Sequence, residues 1–277
     1  MTAAVAASRA STVVLVVAVA LTGVPLFAAL AGPALVAVLG IAAPPGASAL
    51  LPPGDGGVLG TDALGRDVLA LALTGGTSVV LLTVGALAAA YAVGTPLGLA
   101  LAATTRRRAA AAVLRVLDVL LVLPSLLILL VLAATDRRGV VWLLLAAAVV
   151  QLPAVVRLVR SAASAPARRV ALETMSMNGE SWWRVHLLET ARFVAGPVLV
   201  DAGTRFVLVL TLLAGANFLG VGLGPDSSDW AVVIEQNTSS LFLAPATLLV
   251  PAGLLVSLAA GVNLLVDQLT DRTGATA

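Results

Sequence analysis

The sequence predicts an all-α, polytopic membrane protein with about six transmembrane helices. Of its 277 residues, 60% are hydrophobic and only 11% are charged, whereas about a quarter of the residues in soluble domains carry a charge. The mean hydropathy is +1.08, so most of the chain is expected to lie in lipid. The apolar residues are also grouped into long runs, and about 20 consecutive apolar residues suffice to cross a bilayer as a helix.

Six apolar spans account for most of the chain. They lie at residues 12–31, 77–103, 113–134, 140–157, 194–219 and 241–266. The apolar run 32–43 is too short for another span, so we expect it to extend the first helix or to lie at the membrane interface. The Pro- and Gly-rich stretch at 44–57 predicts an irregular loop.

The N-terminus allows two interpretations. Arg9 precedes an apolar run that ends in Ala29-Leu30-Ala31, a pattern that is also typical of cleaved signal peptides. Because apolar sequence continues directly beyond that point, we expect the segment to remain as the first transmembrane helix. The chain then divides into a helix with an external loop at 1–57, a transmembrane domain at 58–272 and a cytoplasmic tail at 273–277.

The arginines predict the orientation. If the N-terminus lies in the cytoplasm, only Arg66, Arg137 and Arg138 fall in segments on the external side of the membrane. Arginine resists translocation, so this bias predicts that both termini lie in the cytoplasm. The twelve arginines predicted to be cytoplasmic are Arg9, Arg106, Arg107, Arg108, Arg115, Arg157, Arg160, Arg168, Arg169, Arg184, Arg192 and Arg272.

The composition excludes several kinds of chemistry. The chain has no cysteine and one histidine, His186, which rules out disulfides, thiolate nucleophiles and cysteine or histidine metal clusters. All 16 basic side chains are arginine, so a phosphate-binding loop ending in Gly-Lys-Ser/Thr cannot form. Any ATP and magnesium must therefore be bound by another subunit. The pI of about 10.3 reflects membrane topology, and we do not expect nucleic-acid binding.

Besides Arg115 and Arg157, which are close to the span ends, three charged residues lie inside the apolar spans. Asp201 and Arg205 are one helical turn apart in the fifth span and can pair on one face. Such a pair either lines a polar path for substrate or serves only helix packing. Asp118, near the cytoplasmic end of the third span, is within reach of Arg115 at spacing i,i+3.

The longest cytoplasmic segment, at about 157–192, is where a soluble partner would bind. Its central part predicts a short helix, a turn at Gly179 and a second short helix. One interpretation is an amphipathic connector with Trp182 and Trp183 anchored at the bilayer surface. The other is a coupling element that contacts a partner. The candidate coupling residues are Glu173, Gly179, Glu180, Trp182 and Arg184.

A charged motif precedes the second span. Asp62, Arg66 and Asp67 have the spacing i, i+4 and i+5, so in a short external helix Arg66 would pair with Asp62. Such a helix suits the rim of a translocation path, or it is a solvated helix start with Thr61 as its N-cap. The candidate rim residues are Thr61, Asp62, Gly65, Arg66 and Asp67.

Prolines and glycines predict irregularities within the spans. Pro124 is expected to kink the third helix, and Pro153 the fourth, because proline removes a backbone hydrogen bond. The glycines at 215, 220, 222 and 224 favour close helix approach and a loop at the membrane edge. A dinucleotide-binding interpretation of the last three fails, because the spacing is wrong and no soluble strand precedes them.

Five segments resemble one known family. The run from Gly60 to Val68 reads Gly-Thr-Asp-Ala-Leu-Gly-Arg-Asp-Val and is similar to the signature of C-type permeases of dipeptide, oligopeptide and nickel ABC importers. Glu173 and Gly179 keep the spacing of the family's cytoplasmic Glu-Ala-Ala motif, although Thr174 and Met175 replace its alanines. The other similar segments are 118–127, with its Asp and Pro-Ser, 217–230, with Asn-Phe-Leu-Gly-Val-Gly, and 263–271, with Asn-Leu-Leu-Val-Asp.

The resemblance implies a type I ABC importer permease fold. It implies a cytoplasmic loop that docks on an ATPase, a homologous second permease subunit, two ATPase subunits or domains, and an extracytoplasmic substrate-binding protein. It also implies transport by alternating access, with no catalytic residue or cofactor in this chain. Di- or oligopeptides are the favoured substrates, and relatives of this class carry nickel chelates, glutathione or haem. The alternative from another class is a secondary transporter or membrane scaffold without an ATPase.

Overall fold

The computed structural model describes residues 2–135, 139–165 and 190–274, and in this part of the chain all regular structure is helical. The five long helices and the bent helix pair between them form one packed unit. The helices are α1 (Thr2–Leu39), α2 (Val68–Thr74), α3 (Gly76–Ala103), α4 (Arg107–Val122), α5 (Ser125–Ala134), α6 (Val140–Ala163), α7 (Thr190–Phe218), α8 (Trp230–Gln236) and α9 (Ala246–Gly274).

Five segments are long and apolar enough to cross a membrane. They are Thr12–Leu39, Val68–Ala103, Val140–Ala163, Arg192–Phe218 and Ala246–Thr270, and α4 with α5 make a sixth if the bent pair is one span. The prediction of about six transmembrane helices in an all-α membrane protein is therefore confirmed.

The first helix is longer than its predicted span. Of the two positions expected for the run 32–43, the structure has the helical extension as far as Leu39, and the helix continues through Pro25 and Pro33. Gly40, with φ of +62°, then begins the irregular loop. At the other end of the chain α9 starts at Ala246, so the predicted sixth span began five residues too early.

The predicted kink at Pro124 is present as a complete break. Helices α4 and α5 are bent by 79° where Leu123 and Pro124 leave the helical conformation. Pro153 has no such effect, because α6 continues through it to Ala163. Packing can hold a helix together across a proline, and Pro153 is buried.

Helix α3 is the centre of the bundle and contacts α1, α6 and α7. Glycines make its packing against α6 close: a Cβ at Gly94 would lie 2.7 Å from Cγ1 of Val155, and one at Gly98 would lie 2.8 Å from Val159. Small residues let helix backbones approach each other closely. This matters in a bilayer because the hydrophobic effect does not drive helices together there. Helix α4 differs from α3 because it packs mainly against one helix, α6. Ala110 and Leu117 are its buried residues in this contact.

Candidate functional site

The motif before the second span forms a turn, not the predicted external helix. Asp62 is fully buried, and its Oδ1 accepts hydrogen bonds from the backbone N–H groups of Leu64 (2.9 Å) and Arg66 (2.7 Å). Its Oδ2 accepts from Nε of Arg66 at 2.7 Å, so the predicted Asp62–Arg66 ion pair is confirmed. Gly65 has φ of +76°, and a Cβ there would lie 2.6 Å from the carbonyl oxygen of Ala47.

Thr61 and Asp67 hold the two ends of this turn. The Thr61 hydroxyl donates to the carbonyl of Ser48 (2.7 Å) and accepts from N–H of Leu51 (2.9 Å), so it fastens the preceding loop. The proposal that Thr61 is an N-cap is wrong. Asp67 is the N-cap of α2, because its Oδ1 accepts from N–H of Leu69 and Ala70, as capping carboxylates do.

The turn is tied to the segment around α8, far away in sequence. Nη2 of Arg66 donates to Oε1 of Gln236 (2.7 Å), and N–H of Ala63 donates to Oδ1 of Asn237 (2.9 Å). Nearby, Nε1 of the fully buried Trp230 donates to the carbonyl of Ala72 (2.8 Å). We call these two segments, 61–75 and 229–237, the polar clasp. Gln236 and Asn237 were not predicted, because no local motif distinguishes them from other loop residues.

Asp229 is the buried acid of the polar clasp. Its Oδ1 accepts from N–H of Ala231 (3.0 Å) at the start of α8, and its Oδ2 accepts from the hydroxyl of Ser78 (2.6 Å). Burial raises the pKa of the Asp229 carboxyl above its ordinary value, and the hydrogen bonds from Ser78 and Ala231 oppose that rise.

Asp229→Asn is expected to remove a pH dependence of stability. A raised pKa means that the folded protein holds the proton more tightly than the unfolded chain, so this contribution is complete below about pH 4 and is lost as pH rises through the folded pKa. The variant keeps an oxygen for Ala231 but cannot ionise. Thermal unfolding across this pH range checks the expectation, with the exposed Asp226→Asn as control. An unchanged pH profile in Asp229→Asn would contradict it.

A second set of polar residues lies inside the membrane-spanning helices. Oδ2 of Asp201 accepts from Nε of Arg205 (2.5 Å) and from the hydroxyl of Tyr91 (2.6 Å), and Nη1 of Arg205 donates to Oε1 of Gln151 (3.0 Å). These four residues, the intramembrane cluster, join α3, α6 and α7. The side chains of Arg205 and Asp201 are only 13% and 19% exposed.

The cluster confirms that Asp201 and Arg205 pair at spacing i,i+4. Its geometry favours a role in helix packing, because three helices share one hydrogen-bonded network and most of its surface is covered. Tyr91 and Gln151 were not predicted, although each is a polar residue in an apolar span, which was the available signal. Contact of this pair with a transported substrate stays a hypothesis.

Asp118 pairs with Arg157 of α6 and not, as predicted, with Arg115. The spacing i,i+3 placed Arg115 within reach, but α4 turns Asp118 toward α6, and both partners remain 48% exposed. Beside the pair an open cleft of about 430 Å³ lies between α4 and α6. This α4–α6 cleft is lined by Leu114, Asp118, Arg157, Arg160, Ser161 and Ser164.

The helix break between α4 and α5 is exposed. Val122 and Leu123 are 81% and 48% exposed, and Pro124 has no N–H to donate to the last carbonyl groups of α4. Unsatisfied backbone groups cost several kcal/mol in hydrocarbon. The segment 122–125 would therefore be more stable facing water or another protein surface than facing lipid.

The predicted coupling residues Glu173, Gly179, Glu180, Trp182 and Arg184 lie outside the described residues. Within residues 2–135, 139–165 and 190–274, no group of three or more His, Cys, Asp or Glu side chains is arranged to hold a metal ion. The features described above are thus a buried polar clasp, an intramembrane cluster, an exposed helix break and a cationic cleft.

Comparison with known proteins shows the family of the chain. Residues 94–272, more than half of the chain, match the model of the binding-protein-dependent transport system inner membrane component. Over 124 residues the chain is 32% identical to the probable peptide ABC transporter permease protein y4tQ of Sinorhizobium fredii and 26% identical to the glutathione transport system permease protein GsiD of Pectobacterium atrosepticum. Each match covers 45% of this chain, with 43% and 41% of the two relatives, so less than half of each relative is spanned. A multi-pass helical fold and a family match over most of the transmembrane domain lead to one conclusion: this chain belongs to the family of binding-protein-dependent transport system inner membrane components.

Proposed function

We propose that the chain is a permease subunit of an ATP-binding-cassette importer and forms part of a translocation path for small peptides. The observation that carries the proposal is the family match over residues 94–272. The two curated relatives are named for peptide and glutathione transport, and glutathione is itself a tripeptide. Di- and oligopeptides are therefore the favoured substrate class, with glutathione, nickel chelates and haem as alternatives.

The exposed helix break supports a position for the path. A lipid-facing surface would leave the backbone at 122–125 without hydrogen-bond partners, whereas a water-filled path or a second permease subunit would supply them. We infer that the segment at 122–125, between α4 and α5, lines the path together with a homologous permease subunit.

The other components of the proposed importer would be separate subunits. The chain lacks lysine and therefore a phosphate-binding loop, so ATP and magnesium would bind to ABC ATPase subunits. An extracytoplasmic substrate-binding protein would deliver the substrate. In this proposal the chain carries out no bond chemistry, and the segment around Glu173 and Gly179 transmits ATPase motion to the helices.

Gly179→Leu tests this coupling role directly. The bulky side chain should obstruct the turn that docks on the ATPase, so membrane insertion should persist while the ATPase either dissociates or no longer responds to the loaded binding protein. Glu173→Lys should have a milder effect, since one exposed contact is worth about 1 kcal/mol or less. Purified complexes are compared for subunit stoichiometry and for ATP hydrolysis stimulated by the binding protein.

Gly253→Leu is the matched control, because a Cβ at Gly253 meets nothing within 4 Å. If Gly179→Leu assembles fully and keeps stimulated hydrolysis and uptake, the segment is only an interfacial connector. Uptake that continues without any ATPase subunit would instead favour the secondary transporter.

The proposed orientation, with both termini in the cytoplasm of a bacterial cell, predicts which positions are reachable from outside. The chain has no cysteine, so single cysteines report without background. Asp55→Cys and Asp226→Cys should react with an impermeant thiol reagent in intact cells, whereas Thr105→Cys and Ser164→Cys should react only after lysis. All four positions are exposed in the structure. The reverse labelling pattern would overturn the orientation.

A further inference from the structure

We propose that the α4–α6 cleft binds the phosphate headgroup of an anionic phospholipid. Two arginines, two serines and one aspartate line the cleft. The carboxylate of Asp118 is engaged by Arg157, which leaves Arg160 as the excess positive charge. In the part of the chain that the structure describes, Arg160 forms no ion pair.

The lining groups suit a phosphodiester. A guanidinium presents parallel N–H donors that match two phosphate oxygens, and hydrogen bonds between such charged partners are strong. Ser161 and Ser164 add hydroxyl donors on the same side of α6. The volume of about 430 Å³ falls within the range of small-ligand sites. Asp118 is the one carboxylate in the cleft, and its pairing with Arg157 limits its repulsion of an anion.

The cleft lies at the depth of the headgroups. Arg157 and Arg160 precede the last residue of the α6 span, Ala163, by six and three residues, which is roughly 9 Å and 5 Å along the helix. The polar interface of each leaflet is about 5–8 Å thick, and arginine side chains extend toward it. A bound phosphate would therefore sit level with those of the surrounding lipid.

The surroundings of the cleft distinguish a lipid from a soluble anion. Four further arginines occupy the start and middle of α4, and all are exposed: Arg106, Arg107, Arg108 and Arg115. Along the same helix Val113 and Val116 are 36% and 67% exposed, which provides an apolar surface for acyl chains. Basic pockets between transmembrane helices with such flanks are typical of sites for anionic headgroups.

Native mass spectrometry of the full-length chain in detergent tests the proposal. Phosphatidylglycerol is titrated onto the delipidated protein, with phosphatidylcholine as the uncharged comparison. The parent protein should retain phosphatidylglycerol in preference to phosphatidylcholine. Arg160→Gln should weaken phosphatidylglycerol binding about fivefold, the effect expected for one arginine at an anionic surface. Ser161→Leu, which fills the cleft without changing charge, should weaken it as well.

Arg115→Gln is the matched control, since it removes one arginine from α4 outside the cleft. If Arg115→Gln weakens phosphatidylglycerol binding as much as Arg160→Gln does, and Ser161→Leu does not weaken it, the charged surface in general attracts the lipid and the cleft does not bind it. That result would overturn the proposal. Competition by inorganic phosphate, glycerol 3-phosphate or an acidic dipeptide as effective as the lipid would show a soluble ligand and also overturn it. These outcomes are independent of ATPase coupling, so they separate this inference from the proposed function.

Discussion

Gly32→Leu is expected to prevent the correct packing of α1 against α2. A Cβ at Gly32 would lie 1.8 Å from the carbonyl oxygen of Leu73 and 2.5 Å from its carbonyl carbon. Because the obstacle is backbone, no side-chain rotation relieves it, and one of the two helices must move. We expect a loss of roughly 3 kcal/mol of stability, at the upper end of the usual cost of overpacking. The yield of monodisperse protein and its thermal midpoint in detergent measure the effect.

Gly23→Leu is the control in the same helix. A Cβ at Gly23 meets nothing within 4 Å, so the substitution adds the same apolar side chain without a collision. Leucine also has the higher helix propensity. We expect the control to be as stable as the parent or slightly more stable. Equal stability of the two variants would show that α1 and α2 do not approach as closely as described.

Asp201→Asn is the second substitution with a large expected effect. It leaves the charge of Arg205 uncompensated in the intramembrane cluster, because a neutral amide replaces the carboxylate whose Oδ2 accepts from both Arg205 and the Tyr91 hydroxyl. Breaking a buried pair by removing one member typically costs about 3–5 kcal/mol, because the other charge stays uncompensated. The thermal midpoint in detergent should fall strongly. Removal of both charges in Asp201→Asn with Arg205→Met should recover part of the loss.

Asp118→Asn provides the matched comparison, since it makes the same change in a half-exposed pair. Water screens that pair, so we expect a cost of about 1 kcal/mol or less. Transport assays then separate the two roles of Asp201. A stable Asp201→Asn protein that has lost uptake would assign the pair to the path, and normal stability with normal uptake would exclude both roles.

The sequence was sufficient to predict the spans and the contacts that are local. Hydropathy identifies each long helix, because the requirement of about 20 apolar residues is a property of the bilayer and not of tertiary packing. The Asp62–Arg66 and Asp201–Arg205 pairs were predictable because both connect residues four apart. Pro124 indicated a kink for a reason that is likewise local, the missing N–H.

Contacts between distant segments could not be predicted in this way. Asp118 pairs with a residue 39 positions away, and Tyr91 bonds to Asp201 across 110 positions. Sequence spacing reveals only partners within one helix, so Arg115 was preferred as the partner of Asp118. The angle at Pro124 and the continuity of α6 through Pro153 depend on which neighbouring helices support each proline. A single sequence does not show which helices lie next to each proline.

The contacts of the polar clasp determine when this part of the chain can assemble during synthesis. Its contacts connect residues 158, 170 and 174 positions apart, so the first segment leaves the ribosome roughly 8–35 seconds before its partner at 5–20 residues per second. During that interval the Asp62–Arg66 pair and the Asp67 cap can form, because all their atoms belong to the first segment. Trp230, Gln236 and Asn237 arrive when only the last span, Ala246–Thr270, is still to be made. The closing of the clasp is therefore a late step, and it can serve as a marker of complete insertion in pulse-labelling experiments.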